Sequence, residues 1–259
     1  MENAWANCRS SCRGNGWVHV EFINLPFDGR LELGWFSIPL TFLWIIGITN
    51  AINLLDGLDG LAAGVSSIVI LTISTLAIIQ GDLFVTALGV ILLGSTVGFL
   101  VHNFNPAKIF MGDTGALFLG FMISVISLLG FKNVTVFSLL IPVIILAVPI
   151  SDTFFAIIRR LVNKKKISDA DKSHLHHRLM QIGFSHKETV LVIYTMSAFF
   201  GLAAVMLTMS TLWMSVIIIA IVLIVIEWIV ERIGLVSATY RPMINFFNKV
   251  TTKSVKRTG

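Results

Sequence analysis

Asn53, Asp56 and Asp59 stand at three-residue intervals in the segment NLLDGLDG, with a long apolar stretch on either side. Residues three apart on a helix share a face, so Asn53 with Asp56, or Asp56 with Asp59, can present oxygen atoms together. A carboxylate at mid-membrane costs about 2.5–3.5 kcal/mol on insertion scales, so each needs water, a cation or a hydrogen-bond donor. Gly57 and Gly60 have no side chain to block a ligand's approach to the backbone, and a frayed helix end here would free N–H groups for phosphate. The competing reading makes both aspartates ordinary helix-end residues at a membrane interface, where that cost is small. Two carboxylates and an amide at one spacing favour a site.

Two further clusters carry related chemistry. In FMGDTG, Asp113 lies between two glycines at the edge of an apolar stretch. It can close an Asx-type turn, or serve as a hard oxygen ligand for Mg²⁺, which binds through one or two carboxylates plus substrate phosphates. Phe110, three residues earlier, offers a ring to a planar base or packs beside the membrane. The run HLHHR presents His174, His176, His177 and Arg178 beside Lys172. Imidazole, ammonium and guanidinium groups donate to anionic oxygens, and Arg suits bidentate phosphate contacts. The spacing fits no standard zinc pattern, so a phosphate grip stands ahead of zinc and of a merely solvated loop.

The elements that position these residues are legible from composition. Of 259 residues, 56% are hydrophobic and only 13% charged, with a mean hydropathy of +0.88. A soluble domain carries about 25% charge; this is an integral membrane protein. Spans need about 20 apolar residues, and windows of that kind fall at 36–53, 62–80, 84–102, 116–131, 135–157, 189–208 and 212–231. The reading is an all-α polytopic transmembrane bundle of about seven spans in one domain, with no internal repeat. The net charge of +5 does not point to nucleic acid, because the cations gather at the ends of apolar segments, as membrane topology requires. Cys8 and Cys12 form a lone C-x3-C pair, weak as zinc site or disulfide, and receive no function. The stretch VHVEFINLPFDGRLELGW alternates around PFDGR as a small hairpin would.

If the chain alternates sides, the connections at 54–61, 103–115 and 158–188 share one face with the tail after 232. That face holds RRLVNKKKISDADKSHLHHR and the tail's Arg232, Arg241, Lys249, Lys253, Lys256 and Arg257, and the positive-inside rule puts it in the cytoplasm. All three polar clusters land there. A hard-cation site and a phosphate-binding patch, opening on a membrane that supplies lipid, suggest phosphoryl transfer between a nucleotide compound and a lipid.

The segments NAINLLDGLDGLAAGVS, FNPAKIFMGDTGALFLG, PISDTFFAIIRR and DKSHLHHRL, in that order, resemble the polyprenyl-phosphate N-acetylhexosamine-1-phosphate transferase superfamily. Within it they are most similar to the GlcNAc branch that serves wall teichoic acid synthesis. The resemblance implies transfer of GlcNAc-1-phosphate from UDP-GlcNAc to undecaprenyl phosphate with Mg²⁺, or Mn²⁺ in its place, in the cell membrane. It implies Asn53 and Asp113 as metal ligands, and Asp56 and Asp59 as the essential acidic motif, with Asp59 toward the uracil. Phe110 would stack on the base, Asn103 would contact the nucleotide, and His174, His176, His177 and Arg178 would grip diphosphate and sugar. The implied partners are UDP-GlcNAc, undecaprenyl phosphate and the lipid bilayer, without nucleic acid; a homodimer stays open.

The chain also departs from the family pattern. Members have ten or eleven spans and an adjacent Asp-Asp pair in an early loop, and this sequence contains no such dipeptide. The expectation is therefore an N-terminally truncated member. In it, an aberrant polar segment over 1–17 precedes a transmembrane transferase domain over 18–259, the C-terminal two-thirds of the family fold. The alternatives are an inactive fragment of that enzyme, a MurNAc-pentapeptide-phosphate transferase relative, and a transporter with broken helices around a midplane site.

Overall fold

The computed structural model describes residues 22–25, 29–130, 140–162, 164 and 174–234. The segment 1–17 with Cys8 and Cys12, the run 165–173 with Lys172, and the tail beyond 234 lie outside the described residues. Strands β1 (Phe22–Leu25) and β2 (Gly29–Glu32) pair antiparallel, with Phe22 opposite Glu32 and Leu25 opposite Gly29. This is the hairpin expected around PFDGR. A 3₁₀ turn at Gly34–Phe36 then leads straight into the first helix.

The helices are α1 (Ser37–Leu55), α2 (Leu61–Gln80), α3 (Leu83–Asn103), α4 (Gly112–Gly130), α5 (Leu140–Ile145), α6 (Ala147–Val162), α7 (Leu175–Ile182), α8 (His186–Thr208) and α9 (Leu212–Ile233). Among the described residues six helices are long and apolar enough to cross a membrane: α1 with its lead-in turn, α2, α3, α4, α8 and α9, with mean hydropathies from 1.7 to 2.8. In lipid every backbone polar group must be satisfied within the segment, which is why such stretches fold as helices.

The remaining expected span, 135–157, is not one continuous helix. Residues 131–139 lie outside the described residues, and the remainder breaks at Leu146 between α5 and α6. Pro149 supplies the reason: it has no N–H for the carbonyl four residues back, Ile145, and its ring clashes with that carbonyl. Hydropathy counted the apolar residues of this segment but not the missing donor.

Helix α2 is the centre of the bundle. Some 72% of its apolar window is buried, against 22% for α3 and for α9. It packs on α3, α4 and α8, and Leu61, Val65, Ile70, Ile73 and Leu76 are almost wholly inaccessible. Lipid tails are as apolar as these side chains, so tight helix contact depends on small residues that let backbones approach. Gly120 of α4 sits on α1, where an added Cβ would lie 2.8 Å from Thr49 Cα. A Cβ at Gly201 of α8 would lie 2.5 Å from Thr72 Oγ1, and one at Gly64 of α2 would fall 1.9 Å from the Tyr194 ring and hydroxyl. Several hydroxyls in these spans bond back to their own helix, as Ser67 does to the Ala63 carbonyl, Thr72 to Ile68 and Ser74 to Ile70, each at 2.8 Å. These three therefore need no partner in lipid.

Short connections set the direction of the bundle. Gly81 ends α2 with φ +73°, and Asp82 caps α3 by accepting from the Val85 N–H at 3.0 Å. Ser185 and Glu188 form a reciprocal capping box at the start of α8. The tight seat of Tyr194 against Gly64 generates a test. Gly64→Ala should destabilise the protein by about 1–3 kcal/mol, the usual range for overpacking. Gly94→Ala, at a helical glycine with nothing within 4 Å of the added methyl, should be neutral or slightly stabilising. Thermal unfolding in detergent, followed by tryptophan fluorescence, separates the two.

Candidate active site

The turn between α1 and α2 is built around Gly60. Helix α1 stops at Leu55, the chain winds through Asp56 to Asp59, and Gly60 takes φ +79°, a left-handed conformation that glycine adopts without penalty. The Gly60 N–H donates to Asn103 Oδ1 at 3.0 Å, and the Tyr194 hydroxyl donates to the Gly60 carbonyl. Asn103, 3% exposed at the end of α3, also donates through Nδ2 to the Ile109 carbonyl at 2.9 Å. Asp59 Oδ2 accepts from Asn105 Nδ2 at 3.0 Å and from the Ala107 N–H at 3.2 Å. The connection from Phe104 to Met111 is thereby laid across the 56–60 turn. Two of the expected clusters meet, and Phe110 stands 77% exposed on the connection that joins them.

The antiparallel packing of α1 on α4 brings Asp56 to Asp113. Asp113 is exposed in the first turn of α4, where a negative charge suits the helix dipole. The Asp56 carboxyl is held above its usual range, first by burial and then by the negative charge of Asp113. One turn before it, the Oδ1 atom of Asn53 is buried with no donor in reach among the described residues. Two neighbouring carboxylates and an orphaned amide oxygen are an acceptor-only set, which a hard cation such as Mg²⁺ would complete. Among the described residues no group of three or more His, Cys, Asp and Glu side chains is arranged to hold a metal; the oxygen set here depends on an asparagine.

The histidine cluster comes to the same turn. The ring of His176 lies directly over Gly57, where a Cβ would sit 2.5 Å from His176 Nε2. His174 and His176 stack with centroids 6.1 Å apart and planes 3° from parallel, and His176 meets His177 at 4.2 Å. These residues do not share one environment. His174 and His176 are 6% and 2% exposed, whereas His177 and Arg178 are half-buried. Burial, followed by the neighbouring His177 and the weaker contributions of His174 and His186, pushes the His176 imidazole down to about 4, against a partial opposing pull from Asp152. His176 is therefore neutral near pH 7 and contributes a ring rather than a charge.

Two site residues escaped the sequence reading. Asp152 of α6, 2% exposed, accepts from the Leu175 N–H at 2.8 Å and from His174 Nδ1 at 3.0 Å. Its signal was a single carboxylate inside the apolar run PISDTFF. Tyr194 was detectable only as one of two tyrosines in the chain, set in an apolar helix.

Comparison with known proteins places the chain in a family. A family model described as glycosyl transferase family 4 matches residues 9–131, which include NLLDGLDG and FMGDTG. Over 239 residues the chain is 52% identical to the probable undecaprenyl-phosphate N-acetylglucosaminyl 1-phosphate transferase of Bacillus subtilis (strain 168), a stretch covering 92% of this chain and 67% of that protein. The chain belongs to glycosyl transferase family 4. Another relative is the decaprenyl-phosphate N-acetylglucosaminephosphotransferase of Mycobacterium tuberculosis (strain ATCC 25618 / H37Rv), 40% identical over 61% of this chain and 44% of that protein. A third is the phospho-N-acetylmuramoyl-pentapeptide-transferase of Listeria monocytogenes serotype 4b (strain F2365), 44% identical over 42% of this chain and 34% of that protein.

The depressed His176 in this glycosyl transferase family 4 member has a pH consequence. The unfolded chain takes up that proton near 6.5, its usual value, while the folded state waits until about 4. Between those values the unfolded state binds more protons, so stability falls as pH drops from about 6.5 to about 4, and this group adds no further loss below. Nitrogen-15 spectra of histidine-labelled protein should show the His176 ring neutral at pH 5.5. The acid-side fall in thermal midpoint should be shallower in His176→Gln.

Proposed function

We propose that the chain transfers GlcNAc-1-phosphate from UDP-GlcNAc to undecaprenyl phosphate, the opening step in building the linkage unit of teichoic acid or a related wall polymer. The observation that carries this reading is the meeting of NLLDGLDG, FMGDTG and HLHHR at one end of the bundle, beside lipid. The 52% identity across 92% of the chain supports the GlcNAc donor. The muramoyl-pentapeptide relative matches over only 42% of the chain.

In this reading an oxygen of the lipid phosphate attacks the β-phosphorus of UDP-GlcNAc. The bond from that phosphorus to the bridging oxygen breaks, and UMP leaves. Phosphoryl transfer needs little covalent help from protein, so the residues act by positioning and electrostatics. Asn53 and Asp113 are the groups that would hold Mg²⁺, which when bound neutralises charge on the diphosphate. Asp56 shares that acidic wall. Asp59 uses one oxygen to hold the 104–111 connection and turns toward the uracil with the other, while exposed Phe110 stacks on the base. Asn103 serves the nucleotide through the loop it clamps. His177 and Arg178 grip the diphosphate and sugar from the opposite side, backed by His174 and His176. The transferase domain spans residues 18–259.

The polar end faces the cytoplasm. Arg159 and Arg160 close α6 and Arg232 closes α9 at that end, as the positive-inside rule requires. A second reading, in which the chain binds UDP-GlcNAc without turning it over, is the other outcome of the assay that follows.

Purified protein given UDP-GlcNAc, undecaprenyl phosphate and Mg²⁺ should release UMP, and Asp113→Asn should lower that rate by roughly 100-fold or more, as for loss of a principal electrostatic group. UDP-GlcNAc binding without UMP would select the second reading. For sidedness, Lys164→Cys in a background lacking Cys8 and Cys12 should react with impermeant maleimide in inside-out vesicles and not in intact cells.

A further inference from the structure

We infer that Asp152 is a positioning residue, which acts on the site through His174 and the start of α7 and never meets substrate. Its kinetic consequences rest on the transferase reading above; its structural ones do not. Asp152 lies inside α6 and is 2% exposed, too deep for a ligand to reach. Its two oxygens divide their work. Oδ1 accepts the Leu175 N–H at 2.8 Å, and Oδ2 faces His174 Nδ1 at 3.0 Å.

The first bond satisfies one of the N–H groups that every helix start leaves without a partner. His174, the residue at that cap position, makes no side-chain cap of its own, so the distant carboxylate takes the role. Its negative charge also has the favourable sign at a helix N-terminus. The second bond decides a tautomer. A carboxylate can only accept, so the His174 proton is held at Nδ1, and in the neutral ring Nε2 keeps the lone pair. From there the contacts run to His176, stacked on His174, and to Gly57, against which His176 rests. One buried carboxylate on α6 thus fixes where the next residues of α7, His177 and Arg178, stand relative to the acidic turn.

The test uses full-length protein in nanodiscs with nitrogen-15 histidine, His174 being assigned by the loss of its signal in His174→Ala. In the wild type His174 should show the Nδ1–H tautomer; an Nε2–H tautomer there overturns the inference without any change at Asp152. Asp152→Asn should shift the His174 signal toward the other tautomer, and Asp152→Glu should restore it at least in part. UMP release should fall by roughly 10–100-fold in Asp152→Asn, the usual effect of losing a histidine's orienting partner, mainly in kcat, with KM within about threefold. In the His174→Ala background the same substitution should add much less, since residues acting through one another are not additive. Additive losses, or an unchanged tautomer in folded Asp152→Asn, would overturn the proposal. If the wild type releases no UMP, the transferase reading fails, and the tautomer measurements still decide the role of Asp152.

Discussion

The site depends on a single residue being held from both sides. Gly60 donates its N–H to Asn103 at the end of α3 and receives the Tyr194 hydroxyl of α8 on its carbonyl. These two bonds satisfy the backbone at the point where the chain reverses between two membrane helices, where an unpaired polar group would be expensive. They also tie three helices to one turn, because Gly60 itself begins α2. Tyr194 reaches that carbonyl only because Gly64, one turn further along, offers no side chain in its way. A left-handed glycine, a small-residue notch and a buried amide therefore act together, and each is of little use without the others.

Around this clamp the protein handles its charges in three different ways. Asp59 and Asp152 are answered by protein donors, two each. Asp56 and Asp113 are left close enough to feel each other, and the carboxyl of Asp56 rises, first through its burial and then through the charge of Asp113. His176 loses its charge altogether. The acceptor-only wall of Asp56 and Asp113, beside the buried Asn53 oxygen, is the feature on which the proposal of a bound cation rests. The half-buried His177 and Arg178 stand with the partially accessible part of the histidine helix, where an anion could be met.

Family membership and geometry also bear on one another. The match to glycosyl transferase family 4 covers residues 9–131 and so stops short of the histidine helix. Packing of His176 on Gly57 is what joins that helix to the part the family model covers. The chain spans 67% of its Bacillus relative and 44% of the mycobacterial one, so the described bundle accounts for part of the architecture those proteins contain.

By itself the sequence determined the class of molecule, six of its spans, the hairpin before them and the three polar clusters. These follow from local quantities: runs of apolar residues long enough to span lipid, and polar residues that lipid confines to the ends of those runs. Parity of the spans was enough to predict that the clusters share a face. Only the tertiary structure decided how each residue is held there. The break at Leu146 depends on a missing donor at Pro149, which hydropathy does not register. Asn103 proved to be a clamp between loops, His176 a neutral ring against a glycine, and Asp152 a partner for a residue 22 positions away. Burial and hydrogen-bond partners set those roles, and both are properties of the packed bundle, which no window along the chain contains.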